Sequence, residues 1–220
     1  LTLPKKQVDL VLGLYSSGKI NEAIEMIKAL NEDYPNVPLL FNLLGACYNT
    51  LEQFDPALQF FETAISLKPD YAEAFLNHGS VMREVGKLDH SAKSFRRAVE
   101  ILPNYFEAHN KLGITLIDLN QLEDAIEHLE WAVAYKYDFY EAHNNLGVAN
   151  RKLGQISSAA KNFEKAIKIN HNYTLAHLNL GITLAELGQK DEAVKCFKQV
   201  ISIEPDNPLA QEKLKELNSD

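Results

Sequence analysis

The chain has 220 residues, of which 46% are hydrophobic and 24% are charged. This composition excludes disordered, collagen-like and disulfide-scaffold proteins. With 30 acidic against 22 basic residues, the formal charge of −8 disfavours a nucleic acid partner, because a phosphate backbone would be repelled. No apolar run reaches the roughly 18–20 residues of a membrane span and no basic-then-apolar leader is visible, so we expect a cytoplasmic protein without membrane partners.

A fixed period of 34 residues runs through the sequence. Glycine recurs at this interval at Gly45, Gly79, Gly113, Gly147 and Gly181. A large apolar residue recurs with it at Phe61, Phe95, Leu129, Phe163 and Phe197. Proline recurs at Pro35, Pro69, Pro103 and Pro205, with Tyr137 and His171 in its place between them. Such a period is typical of stacked repeat arrays.

The period divides residues 4–207 into six units without gaps. Within each unit, apolar residues follow helical spacing twice, on either side of a short turn. The turns are predicted around residues that tolerate left-handed backbone, which are Gly18, Gly86, Asn120, Gly154 and Gly188. We therefore predict an all-α chain of helical hairpins at residues 4–37, 38–71, 72–105, 106–139, 140–173 and 174–207.

Residues 208–217 are predicted to form a closing helix that caps the array. Asp206 or Asn207 would cap its start, and Pro208 suits its first turn, where a missing N–H costs nothing. Three leucines would cover the last hairpin, Leu209, Leu214 and Leu217. With this helix, residues 1–220 are predicted to form one domain.

The N-terminal end has no comparable cap. Apolar side chains are predicted to remain uncovered there, at Leu1, Leu3, Val8 and Leu12. We expect either that more protein precedes this end or that another chain covers it.

The repeated positions resemble the tetratricopeptide repeat family, in which Leu-Gly, a second Gly, Ala, an aromatic residue, Ala and Pro stand at set offsets. The resemblance covers residues 4–207 and departs locally, for example at Ser91 and Val200, which replace alanines. It implies a right-handed superhelical α-solenoid whose first helices line a concave groove. It also implies a protein-interaction scaffold, which binds a protein or peptide, rather than an enzyme.

Asparagines gather on the predicted groove. One repeat offset holds Asn77, Lys111, Asn145 and Asn179, and the offset before it holds Asn42, Asn110 and Asn144. A carboxamide donates and accepts hydrogen bonds, so a ladder of them can bind the backbone of an extended peptide. The run is similar to the asparagine ladder in the repeats of O-linked N-acetylglucosamine transferases. The competing interpretation is that these side chains solvate the groove or satisfy neighbouring helices.

Charges along the groove favour a ligand that is not strongly acidic. Carboxylates flank the asparagines at Glu73, Glu84, Glu107, Asp118, Glu141 and Glu186. In the resembled family, a clamp of lysines, arginine and asparagines holds the acidic tails of heat-shock chaperones. The corresponding positions here are Val8, Leu12, Leu43, Glu73 and Asn77. Chaperone-tail binding through a carboxylate clamp is therefore disfavoured.

The first two units carry a hydrophobic stripe instead of polar groove residues, at Val8, Leu12, Tyr15, Leu39 and Leu43. Such a stripe can accept an amphipathic helix from a partner or from a missing part of the same chain. It can also pair with its copy, which would make a homodimer through the N-terminal repeat.

No catalytic or cofactor motif is present: the sequence lacks a phosphate-binding glycine loop, a His-Glu-x-x-His site, a Cys-x-x-Cys pair and a Gly-x-Ser-x-Gly elbow. We therefore predict no catalytic residue, cofactor or metal. His109, His143 and His177 share one offset, but a spacing of about 10 Å per hairpin is too long for shared ligation, so packing is predicted. Cys47 and His78 could approach each other, but no third residue completes a nucleophilic site.

An aromatic cluster lies where a proline is replaced, at Tyr135, Tyr137, Phe139 and Tyr140. Packing is the favoured interpretation of this cluster, and an exposed contact site is the alternative.

Two other functions remain open. Similar arrays precede bacterial sulfotransferase or glycosyltransferase domains, so the chain could recruit substrates for a larger enzyme, which the full reading frame would decide. It could also be a structural self-association module, which light scattering would decide.

Overall fold

A computed structural model describes residues 3–219, so Leu1 lies outside the described residues. Within this range the chain forms thirteen α-helices and no strand. The helices are α1 (Lys5–Ser16), α2 (Ile20–Asp33), α3 (Pro38–Thr50), α4 (Phe54–Leu67), α5 (Ala72–Glu84), α6 (Leu88–Ile101), α7 (Phe106–Asp118), α8 (Leu122–Tyr135), α9 (Tyr140–Lys152), α10 (Ile156–Ile169), α11 (Thr174–Glu186), α12 (Lys190–Ile203) and α13 (Pro208–Ser219). The prediction of an all-α chain of helix-turn-helix repeats with a closing helix is confirmed.

The helices belong to two compact units. The first unit ends at Pro103 and contains α1 to α6, and the second begins at Asn104 and contains α7 to α13. Inside each unit, consecutive helices pack together, and the first helices of neighbouring repeats also contact one another. These contacts join α3 to α5 in the first unit, and α7 to α9 and α9 to α11 in the second. The single domain over residues 1–220 stays a prediction.

A glycine of the first helix packs against a large side chain of the second helix in five of the hairpins. A Cβ atom placed on Gly147 would lie 2.5 Å from the Phe163 ring, and one placed on Gly45 would lie 2.5 Å from the Phe61 ring. Both rings are almost fully buried. The repeated glycine is therefore required because the partner's side chain, a phenylalanine ring or Leu129, occupies the space that a Cβ atom would need.

Left-handed backbone closes the first helix of every repeat. It occurs at Gly18, Gly86, Gly154 and Gly188, at Asn120, and also at Glu52, where φ is 57°. In the third repeat the Lys87 N–H donates to the Met82 carbonyl at 2.8 Å, which satisfies a carbonyl at the end of α5. The sequence predicted five of these turns and missed the one at Glu52, because glutamate is not a turn residue.

Replacing Glu52 with glycine is expected to raise the free energy of unfolding by about 1 kcal/mol, because a side chain in left-handed backbone costs roughly 1–2 kcal/mol. Glycine gives back part of this gain through its larger unfolded-state entropy. Urea denaturation followed by circular dichroism measures the change. The reverse exchange at an equivalent turn, Gly86→Glu, should lower stability, and equal signs for the two variants would contradict the explanation.

The closing helix α13 is capped by Asn207, whose Oδ1 accepts a hydrogen bond from the Ala210 N–H at 3.0 Å. Ala210 is fully buried, and Leu214 and Leu217 pack against the core of the second unit. The expectation for Leu209 is wrong, because this side chain is 37% exposed.

Candidate functional site

Three pairs of asparagines link neighbouring first helices, and we refer to each pair as an asparagine clasp. In the first unit, Asn77 Nδ2 donates to Asn42 Oδ1 at 3.0 Å. In the second unit, the clasps are Asn145 Nδ2 to Asn110 Oδ1 at 3.0 Å and Asn179 Nδ2 to Asn144 Oδ1 at 2.9 Å. Each clasp joins residues 35 positions apart, so it connects one repeat to the next.

The two members of a clasp differ in exposure. The acceptors are buried, with exposed fractions of 1% for Asn42, 8% for Asn110 and 4% for Asn144. The donors are half-buried, and they are Asn77, Asn145 and Asn179. Lys111, which occupies the same repeat offset, is also half-buried. A buried carboxamide requires hydrogen-bond partners. The acceptors therefore belong to the packing between helices, and the donors carry the polar surface that remains.

The sequence contains a signal for these clasps that grouping residues by offset did not reveal. An asparagine at the acceptor offset is followed by an asparagine at the donor offset of the next repeat. Where the acceptor offset holds Val8 or Leu76, the next donor offset holds Leu43 or Lys111. The hydrogen bonds therefore join asparagines at two adjacent offsets in neighbouring repeats, and not asparagines that share one offset.

Two carboxylates from the predicted acidic groove interact with other side chains of the same chain. Asn42 Nδ2 also donates to Glu73 Oε1 at 3.2 Å in the first unit. In the second unit, Arg151 Nε lies 3.3 Å from Glu186 Oε1. Because both partners of that ion pair are partly exposed, it contributes at most about 1 kcal/mol to stability.

The five apolar residues of the predicted N-terminal stripe lie in different environments. Leu43 is buried in the core of the first unit, and Tyr15 and Leu39 pack against that core. Tyr15 Oη also lies at hydrogen-bond distance, 2.9 Å, from Thr50 Oγ1. Val8 is half-buried and Leu12 is 44% exposed.

Histidines of the second unit fasten the loops that lack the repeat proline. His143 Nε2 donates to the Tyr137 carbonyl at 3.0 Å, and His177 Nε2 donates to the His171 carbonyl at 2.9 Å. A carbonyl can only accept, so Nε2 carries the proton in each ring. His143 is 7% exposed, and burial lowers its pKa. Among the described residues, no cluster of three or more His, Cys, Asp or Glu side chains is arranged to hold a metal ion.

Stability is expected to fall as the pH drops from 7.5 to 5.5, because burial lowers the pKa values of His78 and His143 below the ordinary 6.5. In this pH range the unfolded chain binds protons that the folded chain does not bind. The contribution of these histidines to the free energy of unfolding is therefore fully present above pH 6.5, and it is lost as the pH falls toward their folded pKa. Urea midpoints at a series of pH values measure this loss. The double variant His78→Gln with His143→Gln should show a flatter profile, and an unchanged slope would contradict this origin.

The proposed approach of Cys47 to His78 gives no nucleophile. Cys47 is buried, and this burial raises the pKa of its thiol to about 11, so the thiol stays protonated at neutral pH. His78 Nδ1 lies instead 2.9 Å from Ser94 Oγ, with Glu62 Oε1 3.7 Å from His78 Nε2.

This Ser94–His78–Glu62 group does not meet the needs of a catalytic triad. Ser94 is 7% exposed, and its hydroxyl donates to the His90 carbonyl at 3.1 Å. A nucleophilic serine must donate its proton to the histidine. The arrangement therefore satisfies buried polar groups in the first unit.

Between residues 3 and 219, none of the helices has the length and apolar character needed to cross a bilayer.

Several solved structures share the fold. YrrB, described as a TPR protein with an unusual peptide-binding site, matches 86% of this chain and 97% of its own, with 21% identity and a TM-score of 0.73. MamA matches 74% of this chain and 95% of its own, with 25% identity and a TM-score of 0.70. Pseudomonas aeruginosa pilF matches 96% of both chains, with 15% identity and a TM-score of 0.84.

A comparison with curated proteins gives no match.

The family models agree with the repeat period. Three models of the tetratricopeptide repeat match residues 40–71, 110–174 and 174–207, which together make up more than half of the chain. The hairpins, the glycine contacts and these matches lead to one assignment. The chain belongs to the tetratricopeptide repeat family.

Proposed function

We propose that this protein is an interaction scaffold in which the clasp donors of each unit bind the backbone of extended peptide. The donors are Asn77 in the first unit, and Asn145 and Asn179 in the second. Membership of the tetratricopeptide repeat family supports a protein partner. The solved structure of YrrB, whose description includes a peptide-binding site, adds support at the level of the fold.

The proposal depends on the donor and acceptor groups of the clasp donors that form no hydrogen bond within the protein. Each donor uses one N–H for its clasp, and within the described part of the chain no hydrogen bond reaches the Oδ1 atoms of Asn77, Asn145 and Asn179. One N–H and one carbonyl oxygen thus remain for a ligand on each half-buried side chain. The clasp holds the side chain in place, which reduces the entropy lost on binding.

The spacing of the helices suits an extended peptide. Packed helices lie about 8–10 Å apart, and an extended chain advances about 3.3–3.6 Å per residue. In the second unit, Asn145 and Asn179 would then contact peptide backbone groups roughly three residues apart. Backbone recognition of this kind depends little on the peptide's side chains.

Replacing Asn77, Asn145 and Asn179 together with alanine is expected to weaken peptide binding by about tenfold or more, because each lost hydrogen bond is worth about 0.5–1.5 kcal/mol. Peptides are first selected by the unmodified chain from a displayed library of random 12-residue sequences. Their affinities for both chains are then measured by fluorescence anisotropy.

The control is Asn150→Ala, which removes a buried amide of α9 that bonds the Leu146 carbonyl at 2.7 Å and belongs to no clasp. It reports on lost stability without loss of a clasp donor, so its affinity should match that of the unmodified chain. Unaltered affinity in a folded triple variant would refute the proposal.

A further inference from the structure

The outer face of α8, in the second unit, exposes a tryptophan beside a tyrosine. Trp131 is 46% exposed and Tyr135 is 43% exposed. Their rings stack, with centroids 5.6 Å apart and an angle of 20° between the ring planes. Trp131 keeps this exposure although Tyr135 lies against one face of its indole. Large aromatic rings that are exposed side by side are typical of a contact surface.

Carboxylates lie next to this aromatic pair on the same helix. α8 contains four acidic residues and neither lysine nor arginine. Glu127 lies one turn before Trp131, and Glu130 lies three positions after Glu127, so the three side chains are neighbours on one helix face. Both glutamates are exposed, and neither forms a hydrogen bond or an ion pair among the described residues. Two like charges one turn apart repel each other, and a bound cation relieves this repulsion.

The protein's own cations are placed elsewhere. Lys136 directly follows Tyr135, but its ammonium group lies over Phe106 and Phe139, at 4.8 and 5.5 Å from the two ring centroids. Between residues 3 and 219, no lysine or arginine lies over the ring of Trp131 or Tyr135. The indole and the two carboxylates are therefore available to a cation from another molecule.

The repeat period indicates that the fold does not require these residues. The second helices on either side of α8 carry basic residues at the same offsets, which are Lys93 and Lys161 for Glu127, and Arg97 and Lys165 for Trp131. The packing needs of a repeat recur in each of its copies. The combination of Trp131 with Glu127 occurs in one repeat alone, so we attribute it to binding rather than to packing.

We propose that this face of α8 binds an arginine side chain from a basic segment of a partner protein. The guanidinium group stacks on the Trp131 indole, and its N–H groups donate to the carboxylates of Glu127 and Glu130. Arginine fits better than lysine because a guanidinium is planar, so it can lie flat on a ring while its edge bonds a carboxylate. The attraction between a cation and the face of an indole extends to about 6 Å from the ring centroid.

This site does not depend on the proposed peptide groove, because it lies on a second helix and the clasps lie on first helices. The probes are the synthetic peptide acetyl-Gly-Arg-Gly-Arg-Gly-amide and two counterparts in which lysine or citrulline replaces both arginines. Citrulline keeps the shape of arginine but carries no charge. Each peptide is titrated into the ¹⁵N-labelled full chain at 0.15 M salt, where charges farther apart than about 8 Å are largely screened.

The chain has one tryptophan, so its single indole N–H resonance reports directly on this site. The arginine peptide is expected to shift this resonance saturably. It should bind about tenfold more tightly than the citrulline peptide and about threefold more tightly than the lysine peptide. Trp131→Gln introduces the residue type of Gln199, which stands at the same offset in α12. This variant should lose the preference for arginine over lysine, as measured from the backbone amide resonances of α8.

A pair of glutamate variants with a matched control tests the carboxylates. Glu127→Gln with Glu130→Gln should weaken binding of the arginine peptide about fivefold. Glu192→Gln with Glu212→Gln removes two exposed carboxylates of α12 and α13, so it changes the net charge equally and should leave the affinity unchanged. Because all four side chains are exposed, both double variants should fold, which circular dichroism verifies.

Equal affinity for the arginine and citrulline peptides, equal affinity for the arginine and lysine peptides, the absence of a saturable indole shift, or equal losses in the two double variants would each overturn the proposal. The triple clasp variant should bind the arginine peptide as the unmodified chain does, which separates failure of this site from failure of the peptide groove. A loss of binding in that variant would assign the peptide to the groove and overturn the proposal as well.

Discussion

Replacing Phe163 with alanine is expected to lower the free energy of unfolding by about 3–5 kcal/mol, because the change empties a fully buried site. The ring fills the space between α10 and the glycine face of α9, and its edge would meet a Cβ on Gly147. A repeat array has no central core that could compensate, so the loss falls on the hairpin and its neighbours. Urea denaturation followed by circular dichroism measures it.

The matched control is Tyr137→Ala, which removes an aromatic ring from the same unit. Because Tyr137 is 82% exposed, its loss should change stability by less than about 0.5 kcal/mol. Similar losses for the two variants would show that Phe163 is not a packing centre.

Replacing Gly147 with alanine is expected to lower the free energy of unfolding by about 1–3 kcal/mol through overpacking. The added Cβ would lie 2.5 Å from Phe163 Cε1, so the buried ring or the helix must shift. The control is Gly13→Ala in α1, where nothing lies within 4 Å of the added atom. Alanine favours helix there and should raise stability by roughly 0.5–1 kcal/mol.

A double-mutant cycle tests whether the ring causes this loss. In a chain that already carries Phe163→Ala, Gly147→Ala should cost much less than in the unmodified chain, because its obstacle is gone. Thermal and urea unfolding of the four chains give the interaction energy. Additive losses would place the cause of the glycine requirement elsewhere.

Local patterns in the sequence predict the hairpins well. A helix start, a turn and a proline depend on neighbouring residues, and the period repeats these signals, so even the exchange of turn glycine for Asn120 is recognisable. Glu52 escaped prediction because the two helices that flank it impose its left-handed backbone. Ser91 likewise depends on its surroundings, since its buried hydroxyl donates to the Gly79 carbonyl at 2.7 Å.

Only part of the candidate site could be predicted from the sequence. The sequence placed seven polar residues on one face, but burial separates the clasp acceptors from the donors, and this depends on how adjacent helices are offset. Asn42, for example, reaches forward to both Asn77 and Glu73. A side chain's hydrogen bonds are set by neighbours in space, which a repeat offset does not identify.

The sequence by itself determined the period, the helical hairpins and the family, because these follow from local backbone preferences and from apolar spacing within each repeat. Only the tertiary structure decided which asparagines are buried and which reach the surface. It alone also revealed that His143 Nε2 donates to the Tyr137 carbonyl at 3.0 Å. These features arise where separate helices meet, and the energy of a polar group there depends on which partners burial leaves to it.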